Sequence, residues 1–289
     1  MAQKVTGAAL DDAGLAAEEV QLLVLALGFD NGEEWRLAPF HLARACGAVR
    51  ATVLGVQQMS SGGAAGIDHV VARMQADPAL DHAVVVAADS FANLPDDHWS
   101  SPGGQGVALE DGAAAVVLSR SPAGRLRIRS VASCGAPVVP LSATLTSARA
   151  GGSVVGETVR RHLDHRRELR RTVMVAIEHA LHDAGLAADD PSIGALWLPR
   201  LGESVLRGAV LPSLPVSLRP KACALGQDTG TGHLGPGDLL ADLAALHKAD
   251  FPHRPRAGAP YSLLLSLGTG MTATCMVVQD TSPLDAAAS

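Results

Sequence analysis

The order of apolar and polar residues repeats at half-chain distance. Residues 9–15 read ALDDAGL and residues 180–186 read ALHDAGL. In each copy a helix-like stretch ends in Gly-Leu, the composition of a helix C-cap. A short acidic turn follows, Ala16-Ala17-Glu18-Glu19 in one copy and Ala187-Ala188-Asp189-Asp190 in the other. Each turn gives way to an apolar, strand-like run, Val20 to Phe29 and Ile193 to Leu201. The copies also end alike. Asp111-Gly112 leads into the apolar run Ala113 to Leu118, and Gly268-Thr269-Gly270 leads into Met271 to Val278. Both read as a tight glycine turn feeding a buried strand. Chance similarity of Ala-rich helices is the plain alternative. Agreement at both ends favours a duplication into halves 1–121 and 122–289, each with a mostly parallel sheet and covering helices. The short period of a solenoid is absent.

Between those ends the alternation continues. Val49 to Val56 reads as a strand, and Gly62 to Gln75 as a helix with Ile67, Val70, Val71 and Met74 on one face. Ala83 to Ala88 is a buried strand. Arg166 to Ala184 and Asp238 to Lys248 are helices. The Pro-, Ser- and Gly-rich stretch from Ser121 to Gly156 reads as containing the crossover between halves. The tail after Asp280 reads as frayed.

Composition narrows the class. Of 289 residues 47% are hydrophobic and 18% charged, ample material for a core. Aromatics make up only 3%, so Ala, Val and Leu must fill that core. The net charge of −6 argues against nucleic-acid binding. An acidic carrier protein remains compatible, since a local basic patch would suffice. No apolar run approaches a membrane span, and no signal-peptide core follows Met1. Cys46, Cys134, Cys223 and Cys275 are scattered, without CxxC or zinc spacing. The expectation is a cytoplasmic protein with no membrane association and no structural metal. The histidines agree: His162 and His165 read as a solvated helix face, and no set has metal spacing.

Two stretches carry candidate chemistry. In the first, Ser60 follows Val53-Leu54-Gly55-Val56-Gln57-Gln58-Met59 and precedes Ser61-Gly62-Gly63. A strand turning into a helix there would aim unpaired first-turn amides at the hydroxyl, ready for an oxyanion. Equally, Ser60 and Ser61 could be an N-cap pair. The hydrolase elbow G-x-S-x-G is not present.

The second stretch runs from Gly226 to Asp238. Its GxGxxG at Gly230, Gly232 and Gly235 lies late in the chain, lacks a clear preceding strand and is followed by Pro236, which disfavours a dinucleotide site. A loop holding His233, with Asp238 as N-cap of the next helix, fits better. That Asp would orient the imidazole, and the imidazole would serve as base for a serine hydroxyl. A surface turn with a capping Asp is the plain alternative.

At these residues the chain resembles ketoacyl synthase III and its relatives in natural-product, including polyketide, pathways. Asp111 to Ala115 resembles their Gly-Asp-Gly-Ala strand entry, with Glu110 at the first Gly. Met59 to Gly63 resembles their nucleophile turn, which places Ser60 at the cysteine position. Leu198-Pro199-Arg200-Leu201-Gly202-Glu203 resembles their Val-Pro-His-Gln-Ala-Asn segment, with Arg200 for the catalytic His. Gly232 to Asp238 resembles their Gly-Asn-Thr-Ser-Ala-Ala-Ser loop, with His233 for the catalytic Asn. Gly268-Thr269-Gly270 resembles their Gly-Gly-Gly turn. The resemblance implies a thiolase-like duplicated five-layer α-β-α-β-α fold with two mixed sheets. It also implies that a first strand and loop are shortened here.

The resemblance further implies an acyltransferase with an acyl-Ser60 intermediate, the triad Ser60, His233 and Asp238, and an oxyanion hole from the amides of Ser60 and Thr269. Similar Ser- or Cys-based relatives with a His-x4-Asp loop carry acyl transfer and starter-unit chemistry. Arg200 and Trp35 are expected to line the pocket, Trp35 beside the partner's. No permanently bound cofactor is expected. The acyl group would arrive on coenzyme A or on the phosphopantetheine of an acyl carrier protein. A homodimer through the strand at Val53 to Val56 is implied. Decarboxylative condensation and a catalytically silent partner subunit remain open as alternatives.

Overall fold

Strand β1 (Leu22–Ala26) is buried at every position, as expected of a strand covered on both faces. Its side chains alternate between two different cores. Leu23 and Leu25 pack with Val84 and Val86, with Leu10 of helix α1 (Ala2–Ala13) and with Leu42 of α2 (Ala38–Cys46). Leu22, Val24 and Ala26 face a central core shared with α3 (Gly62–Ala76). The computed structural model describes residues 1–28, 35–91, 108–121, 123–136, 154–224, 231–248 and 258–282.

Two sheets result. The first has the order β2-β1-β3-β4, with β2 (Thr52–Val56), β3 (His82–Asp89) and β4 (Gly112–Ser119). The second, read from its parallel edge, is β7-β6-β8-β9-β5. Its strands are β5 (Leu126–Gly135), β6 (Ile193–Trp197), β7 (Ala222–Cys223), β8 (Tyr261–Gly268) and β9 (Thr272–Asp280). In the first sheet β1 runs parallel to β2 and β3, and β4 antiparallel to β3. In the second, β6 runs parallel to β7 and β8, and β9 antiparallel to β8. The arrangement is the same, with β5 added antiparallel to β9. β5 comes ahead of the long helix α4 (Val154–Ala184); the corresponding helix of the first half, α1, starts at Ala2.

The repeated heptapeptides close their helices identically. Leu15 N–H donates to Leu10 O (3.0 Å) and Leu186 N–H to Leu181 O (2.9 Å). Gly14 and Gly185 hold φ of 61° and 70°, the left-handed cap that glycine adopts without a Cβ penalty.

The central core places α3 and α5 (Asp238–His247) between the sheets. Ile67 and Val70 of α3 and Leu239, Leu240 and Leu243 of α5 meet Trp197, Leu264, Met276 and Val278 of the second sheet. That sheet's other face, with Leu196, Leu263 and Leu265, packs on Val173 and Ile177 of α4. The layers are therefore α1 and α2, sheet, α3 and α5, sheet, α4: a thiolase-type five-layer fold.

The stretch 121–156, expected to contain the crossover between halves, also contains β5, which was not read as a strand. A bulge between Ile128 and Ser130 puts the apolar alternation out of phase, so period two is lost midway. Helix α4 begins at Val154, not Arg166; Gly156 within it reads as a breaker. The strand read from Val20 ends at Ala26, and its expected end at Phe29 lies outside the described residues. Of the tail after Asp280, expected to fray, Thr281 N–H donates to Arg125 O (2.8 Å) and Ser282 N–H to Asp280 Oδ1 (2.9 Å), and residues 283–289 lie outside the described residues. No helix among the described residues is long and apolar enough to cross a membrane.

Candidate active site

β2 ends at Val56 and the chain turns through the short 3-10 segment Met59–Ser61 into α3. Met59 makes that turn with φ of 47°, a left-handed conformation that costs a side-chain-bearing residue roughly 1–2 kcal/mol. The next residue, Ser60, is half-buried at the head of α3. Its Oγ lies 2.7 Å from His233 Nε2. The N-cap alternative fails on geometry. Ser61 holds the N-cap position of α3 and makes no capping bond, while Ser60 engages the imidazole.

Close backbone approach brings the two together. Gly63 stands in the first turn of α3, and a Cβ there would overlap the carbonyl oxygen of Pro236, three residues after His233. The His233 loop therefore rests directly on α3. From the other side, residues 108–110 pair with the loop. His233 N–H donates to Ala108 O (2.7 Å), Glu110 N–H donates to His233 O (3.0 Å), and the Glu110 carboxylate accepts from Gly232 N–H.

Asp238 completes the chain of contacts. Its Oδ2 lies 2.6 Å from His233 Nδ1, and its Oδ1 accepts from Leu234 N–H at 2.8 Å. With Nδ1–H donating to Asp238, Nε2 is left as acceptor for the Ser60 hydroxyl. The expectation that Asp238 caps its helix is corrected. Gly237 is the N-cap residue, without a side-chain cap bond, and the Asp238 carboxylate turns back onto the loop. His233 and Asp238 are buried, at 4% and 3% exposure, so their bond is shielded from water. Of the GxGxxG glycines, whose reading as a dinucleotide site was disfavoured, Gly230 lies outside the described residues, and Gly232 and Gly235 serve the His233 loop.

Arg200 is placed differently from the expectation of a pocket-lining donor. It is buried behind Asp238. Its N–H donates to Asp238 Oδ2 (3.0 Å), Nη1 donates to Asp238 O (2.9 Å), and Nη2 lies 2.8 Å from Asp242 Oδ1. The residue at the family's histidine position is thus committed to the first turns of α5. Thr269 is exposed on the β8–β9 turn. Gly268 just before it packs against the nucleophile turn; a Cβ there would come within 3.1 Å of Ser61 N. Trp35 opens a 3-10 turn (Trp35–Leu37), and its side chain lies outside the described residues.

Three contributors escaped the sequence reading. Glu110 holds Gly232, Asp242 pairs with Arg200, and Asp89 accepts from Gly28 N–H at 2.8 Å beneath Gly235. Burial pushes the Asp242 carboxyl up to about 7; Arg200 opposes that shift and Asp238 adds to it. The spacing of Asp238 and Asp242, one turn apart within an otherwise apolar helix, was the signal available. Among the described residues no cluster of His, Cys, Asp and Glu could hold a metal, and the four cysteines form no disulfide.

Solved structures share this architecture. The acyltransferase ChlB3 is 24% identical, with a TM-score of 0.73 over 98% of this chain and 84% of that one. The tetronic acid condensing enzyme AbyA1 is 18% identical, with a TM-score of 0.70 over 96% and 81%. The 3-oxoacyl-[acyl-carrier-protein] synthase III of Aquifex aeolicus is 16% identical, with a TM-score of 0.69 over 96% and 83%. No protein-family model matches the sequence, and no curated protein is significantly similar to it. The chain has the thiolase fold in the form found in ketoacyl synthase III.

Proposed function

We propose that the chain is an acyltransferase that carries its acyl group on Ser60. The observation that supports this reading is the continuous contact from Ser60 Oγ through His233 to Asp238, at 2.7 and 2.6 Å. A serine hydroxyl is a weak nucleophile and needs a base, and the base needs its tautomer fixed. In the proposed reaction Ser60 Oγ attacks the carbonyl of an acyl thioester on coenzyme A or an acyl carrier protein, and His233 Nε2 takes the hydroxyl proton. The amides of Ser60 and Thr269 would hold the oxyanion. The C–S bond breaks and the thiol leaves with the proton from His233. An acceptor hydroxyl or amine then gives its proton to His233 and attacks the ester. The C–Oγ bond breaks, and Ser60 regains its proton.

Transfer is favoured over condensation for two reasons. An oxyester is less activated than a thioester, which suits oxygen or nitrogen acceptors better than carbon–carbon bond formation. Arg200, at the position of the family's histidine, has both terminal nitrogens engaged by Asp238 and Asp242. A silent partner subunit would have no use for a buried His–Asp pair aimed at a half-exposed serine. The likeness to ChlB3, itself an acyltransferase, agrees with this reading. The proposal includes a role in polyketide or related natural-product assembly, since the priming β-ketosynthase of the R1128 polyketide biosynthetic pathway shares the fold.

The proposed assembly is a homodimer through the open edge of β2, where Val53, Leu54 and Val56 are only half-buried. Leu37 and Phe40, at the start of the neighbouring α2, are 51% and 57% exposed. Light scattering tests it: a dimer is expected, and a monomer at working concentration would contradict it. The function is tested by incubating the protein with acyl-CoAs and acyl carrier proteins and following transfer to hydroxyl and amine acceptors. Transfer that needs both Ser60 and His233 is expected. Carbon–carbon products from a malonyl donor would move condensation ahead.

A further inference from the structure

Behind His233 lies a second pair of charges that the proposed reaction does not use. Asp238 and Asp242 stand one turn apart on the same face of α5, and Arg200 bridges them. The four side chains His233, Asp238, Arg200 and Asp242 are each no more than 6% exposed. Two carboxylates so close in a dry interior would repel each other strongly, and a guanidinium between them removes that repulsion. The main-chain N–H groups of Arg200 and Leu234 fix the direction of the Asp238 carboxylate, each holding one oxygen with Oδ2 facing His233 Nδ1; the guanidinium grips the Asp238 carbonyl and Asp242 and so holds the turn itself.

Charge balance explains why Arg200 needs Asp242. A guanidinium alone behind Asp238 would cancel the carboxylate charge that stabilises the imidazolium formed when Ser60 is deprotonated. Burial raises the Asp242 carboxyl to about 7, and the positive charge that develops on His233 favours its ionisation; with Asp242 ionised, the group keeps a net single negative charge facing His233. We propose that Arg200 and Asp242 form a positioning pair for the Ser60–His233–Asp238 relay, the Arg200 guanidinium anchoring the first turn of α5 that carries Asp238 and Asp242 restoring the negative charge that Arg200 would cancel. This rests on the proposed role of His233 as base. The other titratable or charged groups nearby are Asp68, His69 and Arg73 on α3 and Tyr261 on β8, all at least partly exposed, Asp12 and Arg125 at His247 on the far end of α5, and Glu110 and Asp89 against the His233 loop. Asp89 is buried and accepts from Gly28 N–H, and β4 carries none.

The test is a charge cycle read in two ways. Asp242→Asn keeps the shape of the side chain and an acceptor for Arg200 but removes the charge. It should lower the acylation rate about tenfold with the donor KM nearly unchanged. It should also move the acid limb of the rate–pH profile to lower pH, by about half a unit or more. Adding Arg200→Met restores a single negative charge, and the limb should return toward its wild-type position. Arg200→Lys keeps the charge and loses the two-pronged grip, so it should slow acylation without moving the limb. The second readout is the NMR titration of the His233 imidazole, which needs no turnover. Its midpoint should fall in Asp242→Asn and recover in the double variant. A midpoint and limb that stay in place in Asp242→Asn, or that fail to recover in the double variant, overturn the proposal. If wild type takes up no acyl group from any donor, the function reading fails while the imidazole titration still decides the charge pair.

Discussion

The heads of α3 and α5 occupy equivalent places in the two halves, and they have been given opposite chemistry. Each helix follows a 3-10 turn, Met59–Ser61 in one half and Gly235–Gly237 in the other. Each packs into the same central core. The head of α3 is stripped of side chains: Gly62, Gly63, Ala64 and Gly66 let backbone come close, and the one reactive group, Ser60, is half-exposed. The head of α5 is loaded with buried charge: Asp238 and Asp242 lie inside, held by Arg200 and by loop amides. A duplicated scaffold supplies two helix N-termini aimed at one place. Sequence divergence puts the Ser60 hydroxyl at one and the His233–Asp238 pair at the other.

Perturbing either head tests this division. The largest effect should come from the base itself. His233→Ala should slow formation of the acyl-enzyme by at least about a hundredfold, measured by rapid quench and mass. Gly63→Ala comes next, because its Cβ would push Pro236 and so shift the His233 loop off α3. A displacement of about 1 Å costs on the order of a hundredfold, so acylation should fall while the chain stays folded by circular dichroism. An unchanged rate would show that the close approach is not what seats the loop. Asp238→Asn should be comparable or milder, since the Leu234 and Arg200 amides can still hold one amide oxygen.

The smallest effect is on stability. The Asp242 carboxyl titrates near 3.8 as an unperturbed group and at about 7 in the folded protein. Between those values the folded chain holds a proton that the unfolded chain has lost. The contribution of this group is therefore most favourable below about pH 4 and declines as pH rises through 7. Asp242→Asn should flatten that part of the melting-temperature profile. An equal slope in wild type and variant would mean that the carboxyl is not held against ionisation.

What was legible in the sequence follows from how local each signal is. β1, β3 and α3 could be read because their apolar pattern is set by burial along one element. The Gly-Leu caps at Gly14-Leu15 and Gly185-Leu186 could be read because the cap is local backbone chemistry. Ser60, His233 and Asp238 stood out because a hydroxyl, an imidazole and a carboxylate fell at motif positions, and the structure brings the three into contact. β5 did not stand out, since its bulge breaks the alternation on which a strand reading depends. Arg200 was assigned to the pocket because its position in the chain says nothing of where a long side chain turns. Its direction is fixed by Asp242, 42 positions away. Glu110 was noticed only as a departure from a glycine, because its partner Gly232 N–H is a backbone group that no composition reveals.

The central claim is that Ser60 carries the acyl group. Intact-protein mass spectrometry after mixing with acyl-CoAs and acyl-loaded carrier proteins tests it most directly. Wild type should gain one acyl mass, located by peptide mapping on Ser60 and lost on addition of an acceptor. Ser60→Ala should gain none. An adduct that persists in Ser60→Ala, or that maps to Cys46, Cys134 or Cys223, would contradict the account.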